Sequence, residues 1–192
     1  MKPPRHLYTI LALGVLCIAS SSILIRYISG EASGLTVATY RTVLAALFLL
    51  PFSSRVWPEI KALPSSHKGM IGFSGVLLGL HFVTWISSLY YTTVASSTVL
   101  VNTSPLFIAI ASFFILGERL HKRLVVGILL GLIGATLIAF GDMTNQNFPH
   151  ATFGNGLALL GMVTVSGYMM VGRAVRQNGI SWLGYVFPVY LI

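Results

Sequence analysis

The sequence has few charged residues, few acidic residues and a single cysteine. Charged residues make up 8% of the 192 positions and only four residues are acidic, whereas soluble domains carry about a quarter charged residues. Apolar residues make up 55%, more than a chain of this size can hide from water. These proportions exclude a soluble domain and predict a protein embedded in a lipid bilayer. The lone Cys17 excludes an internal disulfide and a cysteine-type metal cluster.

The net charge of +8 does not indicate a nucleic-acid partner. A nucleic-acid-binding face needs clustered basic residues with aromatic residues among them. In this sequence the Lys and Arg residues are scattered between long apolar runs. We therefore expect the lipid bilayer, and no nucleic acid, as a partner.

Six apolar stretches are long enough to cross a hydrocarbon core, which takes about 20 helical residues. They predict an all-α, multi-pass helical bundle. The predicted spans are Leu7–Ile28, Leu35–Phe52, Gly69–Tyr91, Val94–Leu116, Leu124–Gly141 and Phe153–Val175. A further stretch, Ser181–Ile192, reaches only roughly 18 Å as a helix. We interpret it as a truncated span, and the chain as a fragment of a longer protein.

The basic residues between the spans predict an orientation. Ten of them fall on one side of the membrane if the spans alternate, and the connections on the other side contain none. The ten are Lys2, Arg5, Arg55, Lys61, Lys68, Arg119, Lys122, Arg123, Arg173 and Arg176. The positive-inside rule places their side in the cytoplasm. We therefore expect a plasma (inner) membrane protein with a cytoplasmic N-terminus.

Two details of the spans follow from single residues. Pro105 removes the backbone hydrogen bond to the carbonyl of Val101 and predicts a kink in the fourth span. Arg26 lies about one turn from the outer end of the first span. We expect its side chain to reach the outer headgroups or to pair with Glu31.

Two parts of the chain resemble one another. Leu11–Leu13 opens the first span as Leu157–Leu159 opens the sixth, and Gly34–Thr36 is similar to Gly179–Ser181. The matching units would each contain five helices. Because five is odd, the second unit would enter the membrane from the opposite side, which is the inverted-repeat plan of secondary transporters.

One segment carries a family resemblance. Ser96–Leu120 reads SSTVLVNTSPLFIAIASFFILGERL, and glycines follow it at 127, 131 and 134. With the preceding WISSLYYTTVASS, it resembles the end of an EamA repeat, which defines the drug/metabolite transporter (DMT) superfamily. The resemblance implies one complete five-helix repeat over 1–141, an extracytoplasmic loop over 142–152 and the start of an inverted second repeat over 153–192.

The resemblance also implies a function. Family members move small molecules by alternating access between inverted repeats, and most of them export amino acids or other metabolites. An exporter of amino acids or related carboxylate-bearing compounds is therefore expected. Family members have ten helices, so a truncated, non-transporting membrane scaffold or remnant is the alternative. The pairs Gly75/Gly79 and Gly127/Gly131 predict close helix packing, within the chain or in a homodimer.

Four residues inside the spans are candidates for a substrate site: Arg41, His81, Trp85 and Asn102. Arg41 lies about 9 Å below the outer end of its span, where it either faces a cavity or reaches the headgroups. His81 and Asn102 lie near the midplane, with Trp85 one turn from His81 as a stacking surface. Hydrogen bonds that only hold helices together would equally explain His81 and Asn102. No Asp or Glu lies at that depth, so the cluster favours a substrate with a carboxylate or phosphate.

An intramembrane protease is a competing interpretation. Gly72–Gly75 fits the GxSG pattern of rhomboid proteases, whose serine needs a histidine base on another helix. His81 lies on the same predicted helix as Ser74, roughly 10 Å away along its axis. No HExxH, P-loop or dinucleotide motif is present. We therefore expect no enzyme activity, no metal and no cofactor.

Overall fold

The structure, a computed structural model, describes residues 5–117, 121–143 and 147–192. Within these ranges every regular element is helical, which confirms the predicted helical bundle. The α-helices are α1 (Arg5–Tyr27), α2 (Gly34–Leu49), α3 (Ser53–Ala62), α4 (Ser65–Tyr91), α5 (Val94–Val101), α6 (Ser104–Leu116), α7 (Lys122–Met143), α8 (Ala151–Arg176) and α9 (Trp182–Tyr190). Lys2, Glu118 and Arg119, on which the predicted orientation and repeat motif partly rest, lie outside the described residues.

Five described segments are long and apolar enough to cross a membrane. They are Leu7–Gly30, Gly34–Ala62, Ser65–Tyr91, Val94–Phe114 and Ala151–Arg176. Helix α7 adds 22 residues of mostly apolar sequence, about 33 Å at the helical rise. The helices therefore lie where the apolar stretches predicted spans.

The fourth predicted span is two helices rather than one. Helix α5 ends at Val101 and α6 begins at Ser104, with Asn102 and Thr103 in the turn between them. Pro105 occupies the first turn of α6, where its missing N–H removes no helical bond. The hydroxyl of Thr103 donates to the carbonyl of Leu100 at 2.6 Å. The kink expected from Pro105 is thus a complete interruption of the helix.

Helix α3 was not predicted. It joins the second and third spans, and Val56 is its buried residue while Arg55 and Lys61 are exposed. The carboxylate of Glu59 accepts hydrogen bonds from the backbone N–H of Ser181 and, at 2.6 Å, from its hydroxyl. The Ser181 hydroxyl in turn caps α9 by accepting from the Gly184 N–H at 3.0 Å. Helix α3 therefore fixes the start of α9.

The most extensive helix packing is between α4 and α8. Glycines allow the close approach: a Cβ atom on Gly154 would lie 2.8 Å from the backbone nitrogen of Thr92, and one on Gly161 would lie 3.2 Å from the Thr84 hydroxyl oxygen. The side chains of Ile86 and Leu89 are fully buried nearby. This pair forms the core against which the other helices pack.

The two predicted glycine pairs make fewer close helix contacts than expected. Gly75 packs against Val189 and Ile192, but Gly79 faces open space. Gly131 contacts Leu106, and Gly127 has no neighbour in contact among the described residues. One glycine of each pair therefore makes a close contact within the chain, and the homodimer stays a prediction.

Candidate functional site

Arg41 lies inside the bundle and is held by aromatic side chains. It is partly buried on α2, whose N-terminus is capped by the Ser33 hydroxyl. Its guanidinium carbon lies 4.6 Å from the centre of the Phe82 ring and 5.3 Å from that of Trp85, both on α4. Such cation–π contacts contribute about 0.5–2 kcal/mol each. They orient the cation without engaging its N–H donors.

The charge of Arg41 is not neutralised by the described part of the chain. No described carboxylate forms an ion pair with it, and its one hydrogen bond there runs from Nη1 to the Ser21 hydroxyl at 3.5 Å. A guanidinium carries five N–H donors and suits the two oxygens of a carboxylate. An unpaired cation at membrane depth is costly, so it favours a place beside water or an anion.

A large cavity lies next to Arg41, between α1 and α2. Its volume is about 760 Å³. Its wall is mostly apolar, and its polar side chains are those of Cys17, Ser20, Ser21, Thr36, Tyr40 and Arg41. A second cavity of about 450 Å³ lies between α2, α4 and α9 and is lined by Thr39, Thr42 and Tyr190, among others. Both volumes are in the range of small-molecule sites. Arg41 thus borders a space large enough for a metabolite.

His81 is fixed in orientation by a neighbouring helix. It is 7% exposed, and its Nδ1 lies 2.9 Å from the carbonyl oxygen of Gly161 on α8. Because a carbonyl can only accept, Nδ1 must donate this hydrogen bond, and neutral His81 then presents Nε2 as an acceptor. The imidazole is stacked on Trp85 with a centroid distance of 5.8 Å and an interplanar angle of 5°. Gly161 therefore sets the tautomer of His81.

Trp85 joins the two polar groups. Its ring contacts both His81 and Arg41, and it is 5% exposed. The indole Nε1–H is buried and has no acceptor among the described residues. Buried donors usually have a partner. A bound ligand with an acceptor oxygen would supply one.

Three of the four predicted residues come together, and the fourth does not. Arg41, His81 and Trp85 form one cluster across α2 and α4. Asn102 is exposed in the turn between α5 and α6, and no hydrogen bond joins it to the other three. It still lies near the middle of the apolar segment Val94–Phe114, so its predicted depth stays a prediction. Its place at the helix break leaves it apart from the cluster.

Two members of the cluster were not predicted. Phe82 follows His81 and lies three residues before Trp85, so a helical-face analysis of α4 could have found it. Tyr190 on α9 contacts the Phe82 ring, and the two ring centroids are 6.4 Å apart. No local sequence signal links Tyr190 to α4, because the contact spans more than 100 residues.

A second polar cluster holds α4, α5 and α8 together. The Asn155 side-chain carbonyl accepts from the hydroxyls of Thr92 at 2.8 Å and Ser96 at 2.9 Å. The hydroxyls of Ser88 and Ser97 lie 2.6 Å apart. All five residues are at most 5% exposed. Interhelical hydrogen bonds of this kind stabilise membrane bundles by about 0.6–2 kcal/mol each.

The serine and histidine of the protease hypothesis have other partners. The Ser74 hydroxyl shares a hydrogen bond with the phenol of Tyr185 on α9. His81 bonds the carbonyl of Gly161 instead. Neither contact brings a base to the serine, so the two do not form a nucleophile–base pair. Among the described residues, no group of three or more His, Cys, Asp or Glu could hold a metal ion.

Arg26 also has partners that were not expected. Its Nη1 donates to the carbonyl oxygen of Leu89 at 2.6 Å, and its guanidinium carbon lies 4.7 Å above the Phe148 ring. The expected pair with Glu31 is not formed. Arg26 therefore joins α1 to the end of α4 and is a structural cation, unlike Arg41.

Comparison with known proteins agrees with the helical architecture. Residues 7–140, more than half of the chain, match the model of the EamA-like transporter family. The chain therefore belongs to the EamA-like transporter family and is a multi-pass membrane protein. No solved structure gives a significant match.

Three relatives illustrate the breadth of the family. The uncharacterized transporter YetK of Bacillus subtilis is 32% identical over 55% of this chain and 32% of its own length. An uncharacterized transporter of Archaeoglobus fulgidus is 29% identical over 90% of this chain and 58% of its own length. The thiamine-repressible mitochondrial transport protein THI74 of Saccharomyces cerevisiae is 32% identical over 52% of this chain and 30% of its own length. The chain therefore spans between about a third and three fifths of these relatives.

Proposed function

We propose that this chain serves the transport of small metabolites that carry a carboxylate, with amino acids as the leading class. The observation that carries the proposal is Arg41. It is a partly buried cation beside a 760 Å³ cavity, and no carboxylate in the described part of the chain forms an ion pair with it. Because the chain belongs to a transporter family, a transported solute is the anion that we expect to pair with Arg41.

The neighbouring groups favour an amino acid over a simple acid. His81 offers an acceptor at Nε2, since Nδ1 is engaged with Gly161. An amino acid presents a carboxylate that complements Arg41 and an ammonium group that complements this acceptor. The free indole N–H of Trp85 would donate to a second carboxylate oxygen. Arg41 is the one of the three that lines the 760 Å³ cavity, and a zwitterion that reached past it to His81 and Trp85 would have both of its charges complemented.

We further propose that the transport is export and that it proceeds by alternating access. The excess of Lys and Arg in one set of connections supports a cytoplasmic N-terminus in the plasma membrane. The family resemblance supports export by alternating access between inverted repeats. Helix α9 contributes Tyr190 to the cluster, so rearrangement of this later part of the chain would open or close the site.

A ligand-binding measurement tests the proposal more directly than a measurement of transport flux. The purified chain in nanodiscs would be titrated with amino acids and with the amines that lack only their carboxyl group, and binding followed by thermal shift. We expect amino acids to bind and the matched amines to fail. Equal binding of the amines would overturn the carboxylate class. Binding of no compound in the panel would favour the scaffold alternative.

A variant pair locates the binding. Arg41→Gln removes charge-assisted hydrogen bonds worth about 1.5–3 kcal/mol, so affinity should fall about 10- to 150-fold. Arg55→Gln, on exposed α3, removes the same charge away from the cavity and should leave affinity unchanged. An unchanged affinity in Arg41→Gln would place the substrate elsewhere.

A further inference from the structure

Two cavities adjoin at the C-terminal end of α8. One, of about 390 Å³, is lined by Tyr168, Arg173, Arg176 and Trp182, among others. The other, of about 650 Å³, is lined by side chains that include Met70 and Ile108. Met169, Arg173 and Gln177 line both cavities. The two spaces are therefore neighbours that share one wall.

The smaller cavity is basic. Arg173 and Arg176 lie in the last turn of α8, three residues apart and thus on one face of the helix. Both are exposed, and no described carboxylate forms an ion pair with Arg176. Glu59 is the nearby acidic group of α3, and its carboxylate is engaged by Ser181 at the start of α9. Arg176 therefore favours an anionic ligand, and Arg173 adds a second positive charge on the same face of the helix.

The larger cavity is mainly apolar. Methionines 70, 169 and 170 contribute to its wall together with Ile108, Val171 and Ala174. Methionine side chains are flexible and polarisable, and they adapt to irregular apolar ligands. A hydrated anion such as free phosphate would gain nothing from this wall, whereas a hydrocarbon chain would fill it.

The position of both cavities fits the membrane surface. Helix α8 has 26 residues, about 39 Å, which exceeds the roughly 30 Å of the hydrocarbon core. Its last turn therefore reaches headgroup level. Trp182, 56% exposed, lies beside Arg173 and Arg176, and tryptophan is enriched at this interface. Lys61 and Lys68 lie at the same end of the bundle, since α4 and α8 run antiparallel.

We propose that this pair of cavities binds an anionic phospholipid. Its phosphate contacts Arg173 and Arg176, and one acyl chain lies along the methionine-lined cavity. Basic pockets between membrane helices on the positively charged side of a protein commonly take such headgroups. This site shares no lining residue with the two cavities near Arg41 and does not depend on the proposed substrate.

Native mass spectrometry of the purified chain tests lipid selectivity without any variant. The probes are phosphatidylglycerol, phosphatidylcholine with the same acyl chains, and the water-soluble sn-glycerol 3-phosphate. We expect retention of phosphatidylglycerol and at least tenfold weaker retention of phosphatidylcholine, with no displacement by millimolar glycerol 3-phosphate. Equal retention of both lipids would overturn the proposal. Displacement by glycerol 3-phosphate would instead indicate a site for a free anion.

Variants locate the lipid on the surface. Arg173→Gln with Arg176→Gln should weaken phosphatidylglycerol binding about 30-fold, given the contribution of each basic residue near a membrane surface. Arg55→Gln with Lys61→Gln removes the same charge at the same end and should change binding less than threefold. Equal losses in the two double variants would show unspecific attraction and contradict the site. Should the first pair fail to fold, Met170→Gln, which leaves both arginines, should still reduce retention; unchanged retention would exclude the acyl-chain cavity.

Discussion

The pair α4–α8 and the pair α1–α2 are packed in opposite ways. Half of the most apolar part of α4 and 44% of that of α8 are buried inside the protein, against 11% for α1 and 6% for the segment that begins with α2. Helix α1, one of these two sparsely packed segments, is also the most apolar of the four. In a bilayer, apolar side chains gain nothing by leaving lipid for another helix. Small and polar residues decide which helices associate.

The candidate site lies where these two regions meet. Helix α4 supplies His81 and Trp85 from the packed region, and α2 supplies Arg41 from the exposed one. The packed side fixes the imidazole through Gly161. The exposed side borders the 760 Å³ cavity. One half of the site thus lies in the tightly packed part of the bundle, and the other half lies on sparsely packed α2.

The largest expected effect comes from forcing α4 and α8 apart. Gly154→Val would place its Cβ 2.8 Å from the backbone nitrogen of Thr92, so overpacking should cost about 3 kcal/mol. Gly156→Val on the same helix faces open space and is the matched control. Thermal unfolding in detergent should show a fall on the order of 10 °C for the first variant and a much smaller one for the second. Equal falls would contradict the packing described for α4 and α8.

A smaller loss is expected from the buried polar cluster. Asn155→Ala leaves the hydroxyls of Thr92 and Ser96 without their shared acceptor, at a cost of about 1–2 kcal/mol. The control is Thr136→Ala on α7, because the Thr136 hydroxyl bonds the Leu132 carbonyl of its own helix and no other described residue. Chemical denaturation should separate the two variants. A control as destabilised as Asn155→Ala would remove the special role given to this cluster.

A still smaller loss is expected at the N-terminus of helix α9. Glu59→Ala removes the acceptor for Ser181 at its N-terminus, a capping loss of about 1 kcal/mol. Hydrogen exchange should therefore become about fivefold faster in residues 181–185 while α4 is unaffected. Glu31→Ala is the matched carboxylate control. Unchanged protection of 181–185 would show that α3 does not hold α9.

The smallest effect is expected at Ser74. Ser74→Ala removes one hydrogen bond to Tyr185 and should cost at most about 1 kcal/mol. Ligand binding should stay the same, because neither residue belongs to the Arg41 cluster. A Ser74→Ala variant that folds normally but has lost its function would instead support a nucleophilic role for this serine.

The sequence predicted the helices well because their lengths follow from the thickness of the bilayer. The apolar stretches Gly69–Tyr91 and Phe153–Val175 lie inside α4 and α8. Pro105 predicted a kink in the fourth span, and the structure has a complete interruption just before it. Helix α3 was missed, since it contains Pro58 and charged residues and lacks a long apolar run. Its stability depends on contacts with α9, which no local pattern reveals.

The site was predictable only within one helix. His81 and Trp85 are four residues apart, so α4 alone places their rings together. The approach of Arg41 depends on how α2 packs, and depth within a span does not determine that. Asn102 shows the same limit: it lies within the apolar segment Val94–Phe114, but it is exposed in a turn and apart from the other three residues.

Modification of Cys17 tests the central claim, that the cavity beside Arg41 admits water and a solute with a carboxylate. Cys17 is the one cysteine of the chain and lines this cavity. An anionic methanethiosulfonate should modify it faster than a cationic analogue, since the reaction needs water around the thiolate and the field of Arg41 attracts the anion. A bound amino acid should slow the reaction, and Arg41→Gln should remove the preference for the anionic reagent. An unreactive Cys17, or the same preference in Arg41→Gln, would contradict the account.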